Sequence, residues 1–177
     1  MAYTPAIRGT RLPGFVSSNM EFFVNLNPIL IFVLTPLVAA ITSKVNVYKM
    51  MILGTFVMAV PTFFLATGPN VVLLFAYILF MSIGEAMWQP RFLQFAAEIA
   101  PEGKTGQYMG IAQFPWFLTK LLTSTYSGYM LTVYCPEQGP KDTSIMWLIY
   151  GSIAMISPIA LLLSKNWIGD RLHAKSA

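Results

Sequence analysis

The chain has 177 residues, of which 56% are hydrophobic and only 10% charged, against roughly 25% charged in a soluble globular domain. Eleven Lys and Arg and seven Asp and Glu side chains cannot cover the surface of a soluble protein of this size. The composition is that of a membrane protein, and it argues against soluble enzymes and nucleic-acid binding; the small net charge of +4 reads as a topology signal.

Taken in chain order, residues 1–20 hold Arg8, Arg11, Pro13 and Gly14 without the apolar run of a signal peptide, and read as an extramembrane arm. The transmembrane bundle is expected over 21–167. Its first span, 22–43, carries no charge between Glu21 and Lys44, and is long enough to cross a hydrocarbon core of roughly 30 Å as a helix. The next apolar run is interrupted by Thr67-Gly68-Pro69-Asn70, which is turn chemistry, and so divides into spans at 50–66 and 71–97. A fourth span covers 105–134 with Lys120 inside it, and a fifth covers 143–164 without a charge. Residues 168–177 form a charged tail. The lengths predict an all-α membrane protein of five transmembrane helices, because barrel strands are near ten residues long with strict alternation.

Basic residues set the orientation. Lys44, Lys49, Arg91, Lys104, Lys165, Arg171 and Lys175 lie on one side, and only Arg8, Arg11 and Lys141 on the other. The richer side is expected to be cytoplasmic, or matrix or stroma in an organelle. That places the N-terminus outside and the C-terminus inside, as five spans require. Cys135 is alone and suggests neither a disulfide within the chain nor a metal cluster. No phosphate loop, triad spacing or metal-ligand cluster is visible, so neither an enzyme nor a cofactor is expected.

Two charges lie deep inside spans, where each costs at least about 2.5–3.5 kcal/mol. Glu85 is about fourteen residues into the third span, roughly 21 Å at the helical rise, and Lys120 is about as far into the antiparallel fourth. They suit either a direct ion pair or two charges facing one cavity. Gln113, Trp116, Lys120, Thr123 and Ser127 recur at helical spacing on one face of the fourth span, and Tyr77, Met81, Glu85, Trp88 and Phe92 on one face of the third. Hydroxyls, an amide and an ammonium opposite aromatics around a carboxylate suit a pocket for a small polar solute. The bland alternative is a buried ion pair that fixes helix register. Prolines stand in every span (Pro28, Pro36, Pro61, Pro90, Pro115 and Pro158), and Gly106/Gly110 and Ser124/Gly128 are small-residue pairs that permit close helix approach.

The run Phe80-Met81-Ser82-Ile83-Gly84-Glu85, then Pro90, then Ala100-Pro101 and a Gly-rich start to the next helix, resembles the major facilitator superfamily. Within it the chain is most similar to the proton-coupled oligopeptide transporters and their relatives. Val24-Asn25-Leu26-Asn27-Pro28 is similar to the opening of their eighth helix, and Trp116-Phe117-Leu118 to a motif in their eleventh. The resemblance implies that the five spans are helices eight to twelve, part of the C-terminal six-helix bundle of a major facilitator fold. It also implies that Glu85, Asn27 and Trp116 line the central cavity, with Glu85 meeting a substrate amino group. Lys120 is not a usual peptide-transporter feature; it implies neutralisation of Glu85 in the empty state or a preference for an acidic solute. The superfamily's loop signature between the first two spans survives only as Lys44, Asn46 and Lys49.

The expected function is that of the C-terminal portion of a secondary active transporter, a symporter for a peptide-like, zwitterionic or anionic solute. It would work by alternating access with a missing N-terminal half. Glu85, Lys120, Trp116, Trp88, Asn27, Gln113 and Tyr77 are its candidate substrate-binding residues, and its partners are the lipid bilayer, the solute and that missing half or other membrane subunits. The alternative is a transporter-derived structural subunit of a larger membrane complex.

Overall fold

The computed structural model describes residues 20–68, 70–136 and 142–165. Apart from Met20, the N-terminal arm and the charged tail lie outside the described residues. The described chain is helical throughout: α1 (Met20–Ile41), α2 (Val47–Ala59) continued by a 3-10 segment (Val60–Thr67), α3 (Val71–Glu98), α4 (Thr105–Tyr134) and α5 (Thr143–Leu163). The all-α architecture expected from composition is therefore present.

Local chemistry starts and stops these helices. Asn46 accepts from the backbone N–H groups of Tyr48 and Lys49 and caps α2; Asn70 caps α3 through Val72, and Asp142 caps α5 through Ile145. Gly68 and Gly103 supply the positive φ angles (119° and 75°) in the turns before α3 and α4. Asn46 thus has a structural task that its place in a degraded loop signature does not suggest.

The prolines act unequally. Pro28, Pro36, Pro90, Pro115 and Pro158 lie inside unbroken α-helices. Pro61 alone sits where the ladder changes type, at the start of the 3-10 segment, because it has no N–H to give the preceding turn. The thirteen α residues and eight 3-10 residues of that span extend about 36 Å at the rises of the two helix types, enough to cross a bilayer core.

Among the described residues, four segments are long and apolar enough to cross a membrane: Glu21–Ile41, Val47–Thr67, Val71–Glu98 and Thr143–Leu163. Helix α4 has the length, 30 residues, but Gln107, Gln113, Lys120 and a run of threonines and serines make it too polar to join them. The fifth expected span is therefore a helix of different character from the other four.

Between helices in lipid, apolar contact alone gives little drive, and close packing and hydrogen bonds take its place. The closest approach is between α2 and α3. A Cβ built on Gly54 would lie 2.9 Å from the Trp88 backbone nitrogen, and one on Gly84 would lie 2.6 Å from that of Met58. Gly151 on α5 receives the Phe63 ring, which a Cβ would meet at 2.8 Å. The Tyr48 hydroxyl donates to the Leu161 carbonyl at 2.7 Å and ties α2 to the last turn of α5. The small-residue pairs on α4 do not serve this purpose among the described residues: Gly106, Gly110 and Gly128 have open space where a Cβ would go. A core of Phe23, Leu65, Leu74, Tyr77, Ile78, Met130, Met146 and Trp147 joins all five helices near the end where α4 passes to α5.

Candidate solute-binding site

Glu85 sits halfway along α3, half-buried, with Ser82 one turn before it on the same helix face. Asn27 of α1 reaches both. Its Nδ2 donates to Glu85 Oε2 at 3.3 Å, and its Oδ1 lies 2.6 Å from Ser82 Oγ. Ser82 Oγ is also 2.7 Å from the Ile78 carbonyl, so its single proton is shared between two acceptors. One amide therefore fixes a carboxylate and a fully buried hydroxyl on the neighbouring helix. A carboxylate offers about four acceptor positions, and this contact uses one of them.

Trp88 lies three residues beyond Glu85, stacked on Phe92 with ring centroids 5.3 Å apart and planes at 10°. Trp116 of α4 approaches Trp88 at 6.0 Å and 36°, both rings half-buried. The site thus consists of a hydrogen-bonded polar triad with an aromatic wall on its C-terminal side, shared by α1, α3 and α4.

The other expected residues are placed differently. Lys120 is exposed, and the Glu85 side chain is held by Asn27, with no ion pair to Lys120 among the described residues. The packing of α4 on α3 through Trp116 leaves Lys120, one turn further on, off that contact. Gln113 is also exposed. Tyr77 is buried in the apolar core with its ring 6.2 Å from Trp147, two turns away from Glu85 along α3. The periodicity that put Tyr77 and Glu85 on one stripe is real, but a stripe of several turns spans both a core and a site.

Two residues were not singled out as site partners by sequence pattern. Ser82 stands one turn before Glu85, and that spacing was the available signal. Arg91 counted only toward charge bias; its guanidinium donates to the Thr42 carbonyl at 2.7 Å and to Thr42 Oγ1 at 3.2 Å. It also donates to Gln94, which in turn donates to Glu98. Thr42 follows the last residue of α1, and its carbonyl accepts from the Val45 N–H at 3.0 Å as well, so Arg91 adds a second bond and a positive charge at the negative end of that helix.

A match to the Major Facilitator Superfamily covers residues 14–174 and takes in all five helices. The chain belongs to this superfamily. It is an integral, multi-pass membrane protein of a transporter family, and such families are generally not enzymatic. No curated protein and no solved structure matches it. For a transporter, the chemistry of the triad is informative: a carboxylate with spare acceptor positions, held at mid-span beside indole rings, suits a donor-rich solute group with an apolar part.

Proposed function

We propose that this chain supplies the C-terminal half of the pathway of a secondary active transporter, and that a small polar solute binds at Glu85. The observation that carries the reading is the Asn27–Ser82–Glu85 triad. Charged groups inside membrane spans are costly and are retained where they line a pathway, and here a neutral amide orients the carboxylate without neutralising it. The solute is peptide-like, zwitterionic or anionic: its amino group meets Glu85, Trp88 and Trp116 form the apolar walls, and Gln113 and Lys120 contact its polar or acidic end. Tyr77 acts only indirectly, through the packed core two turns from Glu85. Coupling is by symport, with protons as the driving ion by analogy with the oligopeptide transporters.

The pathway is completed by further helices, an N-terminal half in the same chain or a separate membrane subunit, which would lie against the exposed faces of α1 and α4. The N-terminal end of α1 is outside and the C-terminal end of α5 cytoplasmic, following the basic loops. The test is uptake of labelled dipeptides, amino acids and dicarboxylates into cells expressing the chain with its co-purifying membrane partners. Glu85→Gln should abolish uptake while surface expression stays at the parental level. Unchanged uptake kinetics in that variant would remove Glu85 from the site and this reading with it.

A further inference from the structure

We propose that Tyr126, Ser127 and Tyr150 hold bound water where α4 meets α5. The three hydroxyl oxygens are buried and have no hydrogen-bond partner among the described residues. The Ser127 side chain is only 6% exposed, and the Tyr126 and Tyr150 rings meet edge to face at 5.4 Å. Serines inside helices normally turn back to the carbonyl of the preceding turn, as Ser124 does to Leu121 and Ser152 to Leu148. Ser127 does not. Tyr48 shows the other ordinary solution, its hydroxyl donating to the Leu161 carbonyl.

The surroundings define what fits. Tyr126 and Tyr150 pack against the cluster that holds Met130, Met146, Trp147 and Tyr77, and none of these four carries a charge. An ion would have no counter-charge there, whereas a hydroxyl needs a neutral partner that both donates and accepts. Water meets that description, and buried water is held by two to four such groups. Ser127 and Tyr150 each lie about seven residues, roughly 10 Å, from the end at which α4 and α5 are joined, so both helices present hydroxyls at one level. The contact is thus bridged by water, and it stands or falls independently of the solute site at Glu85.

The test uses the full chain in lipid nanodiscs, with water as the probe. X-ray pulses convert bound water to hydroxyl radical in place, and mass spectrometry reads the tyrosines. Tyr126 and Tyr150 should be modified several-fold faster than Tyr48, a buried tyrosine whose hydroxyl is already satisfied. Tyr150→Phe and Ser127→Ala should each lower the Tm by about 2–4 °C, as the loss of one bridging contact does in a chain of this size. Modification no faster than at Tyr48 overturns the proposal. So does a Tm that stays level or rises in both variants, because deleting an unsatisfied buried hydroxyl is neutral or stabilising.

Discussion

Helix α3 is held by α2 and by α4 in opposite ways. Against α2 its backbone touches backbone: Gly54 and Gly84 face one another, and neither position has room for a methyl group. Against α4 the contact runs through side chains, Trp88 with Trp116 at 6.0 Å and Met130 within the shared core, while Gly106, Gly110 and Gly128 have open space where a Cβ would go. Where the surroundings are as apolar as the side chains, apolar contact alone does little to hold helices together. Attraction then depends on how closely atoms approach, and two glycines let whole backbones into range. Large rings between two helices keep their backbones further apart than a pair of glycines does.

The largest effect should come from closing the α2–α3 contact. Gly84→Leu places a side chain where the Met58 backbone stands, at a cost of about 3 kcal/mol. The expected result is loss of monodisperse protein on size exclusion in mild detergent. A monodisperse variant with the parental Tm would show that the two helices separate more readily than their crossing indicates.

Next is the triad. Asn27→Leu leaves Glu85 without its amide donor and removes one of the two acceptors of Ser82, for about 1–3 kcal/mol. Thermal unfolding should register this as a lower Tm with helix content retained. If Tm is unchanged, Asn27 does not tie α1 to α3. Arg91→Ala should cost less, about 1 kcal/mol, because the Thr42 carbonyl keeps its bond from Val45 and loses only the guanidinium and its charge. Faster hydrogen exchange confined to the residues just before Thr42 is its signature, and exchange unchanged there would mean that solvent caps the helix equally well.

The smallest effect falls on the open face of α4. Gly110→Ala has open space around it in α4 and should be neutral or stabilising, by about 0.5–1 kcal/mol. A lower Tm when the chain is purified with its partners would mean that another helix lies against Gly106 and Gly110, turning the open face of α4 into a contact.

Much of the fold was legible because its causes are local. The turn at Thr67–Asn70, the Asn70 cap and the uncharged stretches on either side follow from short-range chemistry, and α3 begins at Val71 in the structure. The close approaches were not legible. Gly106/Gly110 and Ser124/Gly128 have the conventional spacing, yet among the described residues nothing lies where a Cβ on Gly106, Gly110 or Gly128 would go, whereas Gly54 and Gly84 are isolated in sequence and meet only because α2 and α3 cross there. For the candidate site, the depth of Glu85 and its aromatic neighbour Trp88 could be read from helical period, and Asn27 from resemblance. That Asn27 and Ser82, not Lys120, lie next to the carboxylate could not, since it depends on the register between α1 and α3.

By itself, then, the sequence determined that this chain is an all-α membrane protein of the transporter type, with helices broken where caps and turns demand. Those properties depend on apolar length against a hydrocarbon thickness and on bonds between residues close in the chain. The tertiary structure alone decided which glycines bear the tightest contact, which side chain holds Glu85, and that Tyr77 belongs to the core. Each depends on how one helix is rotated and shifted against another. Many sequences of the same periodicity permit several such arrangements, and packing to van der Waals distance selects one.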